Sequence, residues 1–234
     1  MAERQQPSPQ RGPYSARFVA IAVLFAACLV TSNIIAVKIV DVAGLVLTAG
    51  VIIFPVSYII GDVLTEVYGY KATRLVIWLG FFANLLFVAA TALAGALPAP
   101  AFWDKQAAYD AILGSTPRIL LASFSAFLVG EFLNAYVLAK MKIATEGRWL
   151  WTRTIGSTLV GQAADTTVFV TLAFAGAMPS AVIGEIILVQ WAAKCLYEAA
   201  ATPLTYIVVG YLKRVEGIDT YDRGTRFNPF ALSN

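Results

Sequence analysis

The chain has 234 residues, of which 59% are hydrophobic and only 13% charged, with a mean hydropathy of +0.73; soluble domains carry roughly 25% charge, so this is the composition of an integral membrane protein. That length holds one bundle of about six spans at ~20 apolar residues each and leaves no room for a second folded domain. The net charge of +3 is spread between apolar segments, which excludes a nucleic-acid footprint, and the absence of histidine removes Ser-His and Cys-His catalysis and the HExxH zinc site.

Residues 1–16, rich in Pro, Gln and charge, are expected to form a disordered cytoplasmic tail and not a cleavable signal. The first span covers residues 18–37 and ends in the polar cluster Thr31, Ser32 and Asn33. Lys38, just beyond it, either snorkels to the outer interface or faces the pore. A short external turn over 41–48, with Gly44, leads to the second span at 49–68, which Pro55 is expected to kink. Within it Tyr58, Asp62 and Glu66 repeat every four residues and share one face.

The third span, 75–97, carries Trp78, Phe81, Phe82 and Asn84, and the loop 98–116 with Asp104, Lys105 and Asp110 is placed outside. The fourth, 119–139, holds Glu131 and Asn134 and is followed by a basic stretch up to Arg153. The fifth, 155–177, contains Ser157, Gln162 and Asp165. The sixth, 181–212, contains Glu185, Gln190, Trp191, Lys194, Glu198 and Pro203, and is long enough to tilt, kink or extend beyond the membrane. Cys28 and Cys195 fall within spans and read as small buried hydrophobes.

With the N-terminus inside, thirteen of the 17 Lys and Arg residues lie on the cytoplasmic side, with only Lys38, Lys105 and Arg118 outside and Lys194 in the membrane. This obeys the positive-inside rule. The expected fold is therefore an all-α membrane protein, a six-transmembrane-helix bundle over 17–212 with both termini cytoplasmic and a polar C-terminal tail at 213–234. The even split admits a 3+3 inverted repeat, whose matching point is one acid at mid-depth in the second span of each half, Asp62 and Asp165.

Asp62, Glu131, Asp165 and Lys194 lie near the middle of their spans, with Glu66 and Glu198 about one turn towards the cytoplasm. A charge at the bilayer centre costs at least about 2.5–3.5 kcal/mol, so such a group faces a cavity or a partner. Lys194 paired with Asp62 or Asp165 would serve structure alone, but the acids outnumber this base five to one. Ionised carboxylates only accept hydrogen bonds, so the surplus suits a substrate that presents donors or positive charge. It suits proton coupling equally well. Nearby aromatic residues either pack or stack on a flat heterocycle, and Trp191, three residues before Lys194, shares its face.

The string 55–71, PVSYIIGDVLTEVYGYK, resembles the signature of the queuosine precursor transporter family, also called the vitamin uptake transporter family, with Ser57 where Thr is expected. Asn33 and Lys38, the series Arg153, Ser157, Gln162, Asp165 and Phe169, the series Lys194, Glu198, Pro203 and Tyr206, and the tail residues Asp219, Tyr221 and Phe227 to Phe230 resemble the same family. The resemblance implies a bacterial inner-membrane, multi-pass importer of 7-deazaguanine bases: the cyano or aminomethyl precursor of queuosine, or queuine. A guanine-like edge offers a ring N–H and an exocyclic amine that one carboxylate can accept together, and its carbonyl suits Lys194, Asn84 or Gln162 as donor. The candidate substrate site is Asp62, Glu66, Asp165, Lys194, Glu198, Gln162, Asn84, Trp191, Tyr58 and Asn33, with the first four expected to converge on one central cavity.

The expected partners are a small-molecule base and the lipid bilayer, with no cofactor and no nucleic acid; a homo-oligomer is left open. The competing reading is a substrate subunit of an energy-coupling-factor transporter, which needs a separate ATPase module. An intramembrane aspartyl protease would need a glycine three residues before Asp62, where Ile59 stands, so no enzymatic activity is expected.

Overall fold

The computed structural model describes residues 14–42, 45–114 and 117–231. The expected N-terminal tail up to residue 13, Gly44 in the external turn, the end of the loop at 115–116 and the last three residues lie outside the described residues. The described chain is helical apart from one hairpin: α1 (Ala16–Ile35), β1 (Ile39–Val42), β2 (Leu45–Thr48), a 3-10 turn (Ala49–Ile52), α2 (Phe54–Tyr68), α3 (Tyr70–Ala96), α4 (Gln106–Leu113), α5 (Pro117–Ala144), α6 (Leu150–Phe174) and α7 (Ser180–Glu216). Among the described residues, five stretches are long and apolar enough to cross a membrane: α1, Ala49–Tyr68, α3, Gln106–Ala144 and α7. The chain is an all-α membrane protein. Helix α6, with 25 residues, is also long enough at about 37 Å. It is less apolar because Thr154, Ser157, Thr158, Gln162, Asp165 and Thr166 are buried inside the bundle.

Helix α2 is the axis. Every residue from Ser57 to Val67 is buried, packed among α1, α3, α5 and α7. The kink expected at Pro55 does not occur. Proline sits in the first turn of α2, where its missing N–H has no intrahelical partner to lose and its fixed φ suits the helix start. The turn expected at 41–48 lies within an antiparallel hairpin that pairs Ile39 with Thr48 through Val42 with Leu45. The loop after α3 holds a helix of its own, α4, whose Tyr109 hydroxyl donates to the Thr91 carbonyl at 2.7 Å.

Gly69 alone separates α2 from α3. Its φ of 82° favours glycine, and a Cβ there would stand 2.6 Å from Thr220 Cγ2. Helices α5 and α6 approach closely through Gly130 and Gly161: a Cβ on Gly161 would meet Asn134 Cβ at 2.7 Å, and one on Gly130 would meet Asp165 Cβ at 2.7 Å and the Tyr58 hydroxyl at 2.6 Å. Helix α7 has 37 residues, about 55 Å against a hydrocarbon core of about 30 Å, so it exceeds the membrane thickness. Pro203 lies within it. Cys28 is buried, Cys195 half-buried, and both are free thiols.

The two ends of the described bundle meet. Ser15 caps α1 by accepting from the Phe18 amide at 3.1 Å and donates to Glu216 Oε1, at the end of α7, at 2.9 Å. From Gly217 onward the chain straps across this same end. The Thr220 amide donates to the Val67 carbonyl at 3.2 Å, Asp222 Oδ2 accepts from the Tyr70 amide at 2.9 Å, and Arg74 donates to the Asn228 carbonyl at 2.8 Å. Trp78 Nε1 donates to the Pro229 carbonyl at 2.8 Å. The α3 start supplies most of these donors because Tyr70, Arg74 and Trp78 repeat every four residues along one face.

Candidate functional site

Polar side chains are stacked along the bundle axis at three levels. The outer level, in the half that carries the hairpin, is a cavity of about 600 Å³. Its walls include Asn33 from α1, Phe54 from α2, Asn84 from α3, Phe127 from α5, Asp165 and Phe169 from α6, and Lys194 from α7. Lys194 Nζ donates to Asp165 Oδ2 at 2.6 Å and to Thr166 Oγ1 at 3.3 Å, with the ammonium 4.9 Å from the centre of the Phe54 ring. Of the two partners open to Lys194 in the sequence, the structure selects Asp165. Asn84 is buried and its Oδ1 has no hydrogen-bond partner.

The middle level holds Tyr58 and Asp62 from α2, Glu131 and Asn134 from α5, Gln162 from α6 and Glu198 from α7, all buried. Asn134 Nδ2 donates to Asp62 Oδ1 at 2.7 Å. Helix α5 passes close to Tyr58 at this level: a Cβ on Gly130 would stand 2.6 Å from its hydroxyl.

The inner level centres on Glu66, whose side chain is fully buried. Arg153 grips its carboxylate with Nε to Oε2 at 2.7 Å and Nη2 to Oε1 at 2.8 Å, the forked pairing that guanidinium geometry favours. Lys213 Nζ adds a bond to Oε1 at 2.5 Å. Lys142 Nζ stands 3.6 Å from the same oxygen and donates to the Glu66 carbonyl at 2.5 Å, to Asp219 at 2.5 Å and to the Thr220 carbonyl at 2.7 Å. Burial alone would raise the Asp219 carboxyl, but the bonds from Lys142 and Lys213 outweigh it and hold the group below the usual carboxylate range.

Convergence of Asp62, Glu66, Asp165 and Lys194 on one cavity is therefore corrected. Of the candidate site residues, only Asp165, Lys194, Asn33 and Asn84 line it. Four residues advance a helix by about 6 Å, so Asp62 and then Glu66 fall successively deeper along α2 than Tyr58. Glu66 is held by cations from three other segments. Trp191 shares the side of α7 that carries Lys194 but donates from Nε1 to the Leu159 carbonyl at 2.9 Å, tying α7 to α6 instead of lining the cavity. Gln162, Glu198 and Tyr58 belong to the middle level. Lys142, Lys213 and Asp219 entered no sequence-based site; their signal was charge at the membrane edge, which reads equally well as topology.

A largely apolar cavity walled by membrane-length helices, with the part-buried Asp165–Lys194 ion pair among its few polar groups, is the arrangement of a multi-pass membrane transporter. Residues 48–208 match the model of a family described as "putative vitamin uptake transporter". The chain belongs to this vitamin uptake transporter family. It is 34% identical over 179 residues, 76% of this chain and 78% of the relative, to a protein of Bacillus subtilis (strain 168) named "probable queuosine precursor transporter". No solved structure matches it.

Proposed function

We propose that the protein imports queuosine precursors, 7-deazaguanine bases such as the cyano or aminomethyl precursor or queuine, across the bacterial inner membrane, with proton entry driving uptake. The observation that carries this reading is the Asp165–Lys194 pair at the inner end of a cavity of about 600 Å³, a size within the 300–1,000 Å³ usual for small-molecule sites. The pair offers a base both things its edge requires. Asp165 accepts from ring and exocyclic N–H groups, and Lys194 donates to the carbonyl beside them. Asn33 and Asn84 supply further amide contacts, and the rings of Phe54, Phe127 and Phe169 provide flat apolar walls. Tyr58, Asp62, Gln162 and Glu198 take over beneath the base, Trp191 holds α7 against α6, and Glu66 closes the inner end.

Six crossings with both termini cytoplasmic complete the proposal. What supports an even number is the contact of Ser15 with Glu216 at 2.9 Å, which brings the start of α1 and the end of α7 to one face; five crossings would put them on opposite faces. That requires α6 to cross, its polar residues turned inward. Arg153, Lys142 and Lys213 gather at that end, as the positive-inside rule expects of the cytoplasmic face. The helices then divide three plus three, with Asp62 and Asp165 at matching positions. In a bacterium that neither makes nor imports deazaguanine bases, expressing this chain should restore queuosine in tRNA at low external precursor, and wild-type failure with all three precursors would overturn the reading.

A further inference from the structure

Between the cavity and the Glu66 cluster lie three carboxyl groups that neither uses. Glu131 and Glu198 are each 1% exposed, and none of their four carboxyl oxygens has a hydrogen-bond partner. Asp62, also 1% exposed, is bonded through Oδ1 to Asn134 and leaves Oδ2 without a partner. Among the described residues no cation pairs with any of the three: Lys194 is taken by Asp165, and Arg153, Lys142 and Lys213 by Glu66 and Asp219.

The acids are brought together by the packing of α2 on α5. A Cβ on Gly61, next to Asp62, would stand 3.1 Å from Glu131 Oε2; a Cβ on Gly130, next to Glu131, would stand 2.6 Å from the Tyr58 hydroxyl. Glu198 comes from α7, which packs against both α2 and α6, and Asp165 on α6 stands beside Gly130, next to Glu131, where a Cβ would lie 2.7 Å from Asp165 Cβ. Further titratable groups that bear on this level are Tyr58 and Glu66 on α2 and Cys195 on α7. The other polar atoms here lack partners as well: Asn134 Oδ1 and Gln162 Oε1, which only accept, and the hydroxyls of Tyr58 and Thr158, which can donate or accept.

A level in which unpartnered acceptor oxygens outnumber the two hydroxyl donors calls for a ligand that brings hydrogen-bond donation. Substrate has no room there, since the cavity lining stops at Asp165 and Lys194. A metal ion has no cage: the three acids share one level, but among the described residues no three acidic, His or Cys side chains are set close enough to ligate one ion. A proton fits. A buried carboxylate with no counter-ion neutralises by taking one up, and like charges side by side do not all ionise together. A carboxyl so protonated becomes a donor, O–H to Gln162 Oε1, Asn134 Oδ1 or a neighbouring carboxyl oxygen, and satisfies two orphaned groups at once.

We propose that Glu131, Glu198 and Asp62 form the proton-binding site of this transporter, separate from the substrate cavity and linked to it through Tyr58 and Asp165. The proposal rests on the importer reading for its role in uptake, but the site can be tested without substrate. A proton entering through the cavity binds one carboxylate oxygen of this level, and leaves it for the cytoplasmic side when the inner level opens. The base meanwhile is held one level above.

Two measurements on the purified full-length chain test this. Infrared spectra at neutral pH should contain the carbonyl stretch of protonated carboxyl groups, shifted in heavy water, and Glu131→Gln and Glu198→Gln should each remove part of it. Both variants keep the side-chain shape and imitate the protonated form, so the fold survives. A spectrum in which neither variant alters any such band overturns the proposal whether or not a base is carried. In liposomes with an outside-acid gradient, wild type should accumulate the cyano base, and either variant should lose at least about tenfold of the gradient-dependent rate, equivalent to 1.4 kcal/mol or more in the driving step. Full gradient stimulation in both variants overturns the proton site. Wild type that carries no base under any gradient overturns the importer reading alone, and the infrared bands then decide the site.

Discussion

Glu66 is the sharpest place to test the three-level arrangement, because a substrate contact and a structural counter-ion respond differently to the same change. Glu66→Gln preserves volume, so no cavity is opened, and removes one negative charge and one acceptor oxygen. Breaking a buried pair by removing one partner typically costs about 3–5 kcal/mol. Here Lys142 and Lys213 keep Asp219 at 2.5 and 2.9 Å, so the cation left uncompensated is Arg153, which retains one bond to the Arg148 carbonyl at 2.6 Å. The loss should thus fall at the lower end, about 3 kcal/mol. At roughly 2–4 °C per kcal/mol for a chain of this size, Tm falls by about 6–12 °C. Thermal unfolding in detergent, followed by a thiol-reactive dye on Cys28 and Cys195, reads this directly since both thiols are free and neither is fully exposed. Adding Arg153→Met to Glu66→Gln should restore part of the loss, because a neutral pair leaves no orphaned cation. A Glu66→Gln protein that melts within about 2 °C of wild type would refute the counter-ion assignment.

Gly130→Ala places a methyl against the Tyr58 hydroxyl, Asp165 Cβ and the Gly161 carbonyl at 2.6, 2.7 and 3.2 Å; overpacking of this kind costs about 1–3 kcal/mol. It should lower Tm and precursor uptake together, and unchanged values in both would contradict the close approach of α5 and α6. Asp219→Asn should cost under about 1 kcal/mol, its side chain being 43% exposed, yet loosen the strap enough that trypsin cuts at Arg223 and Arg226 up to about fivefold faster. Acid should do the same: the folded Asp219 carboxyl lies below its ordinary value, so its contribution is complete above about pH 3.9 and is lost as pH falls through the lower folded value.

The apolar segments were legible because span length and hydropathy are local properties. Even so, the fifth span expected at 155–177, with Ser157, Gln162 and Asp165 in it, is found as α6 over Leu150–Phe174, with these and further polar side chains buried. Asp62, Glu131, Asp165 and Lys194 could be singled out because charge in lipid is costly wherever it points. What sequence could not supply was partnership. Glu66 and Arg153 are 87 positions apart, Glu66 and Lys213 147, and Ser15 and Glu216 201; no periodicity within one helix encodes such pairs. Even spacing along α2 placed Tyr58, Asp62 and Glu66 on one face, but a shared face does not mean a shared depth. Pro55 was misread because a proline near a span's start looks the same in sequence whether the helix begins just before it or several residues earlier.

The proposed substrate contact is the Asp165–Lys194 pair at the inner end of the cavity, and equilibrium binding of the cyano base to the purified protein tests it most directly. Asp165→Asn keeps the side-chain shape but removes the charge, and a hydrogen bond to a charged group contributes about 1.5–3 kcal/mol. The variant should therefore bind the base about 10- to 150-fold more weakly than wild type, at 1.4 kcal/mol per tenfold. Wild-type affinity in Asp165→Asn would contradict the assignment of this cavity as the substrate site.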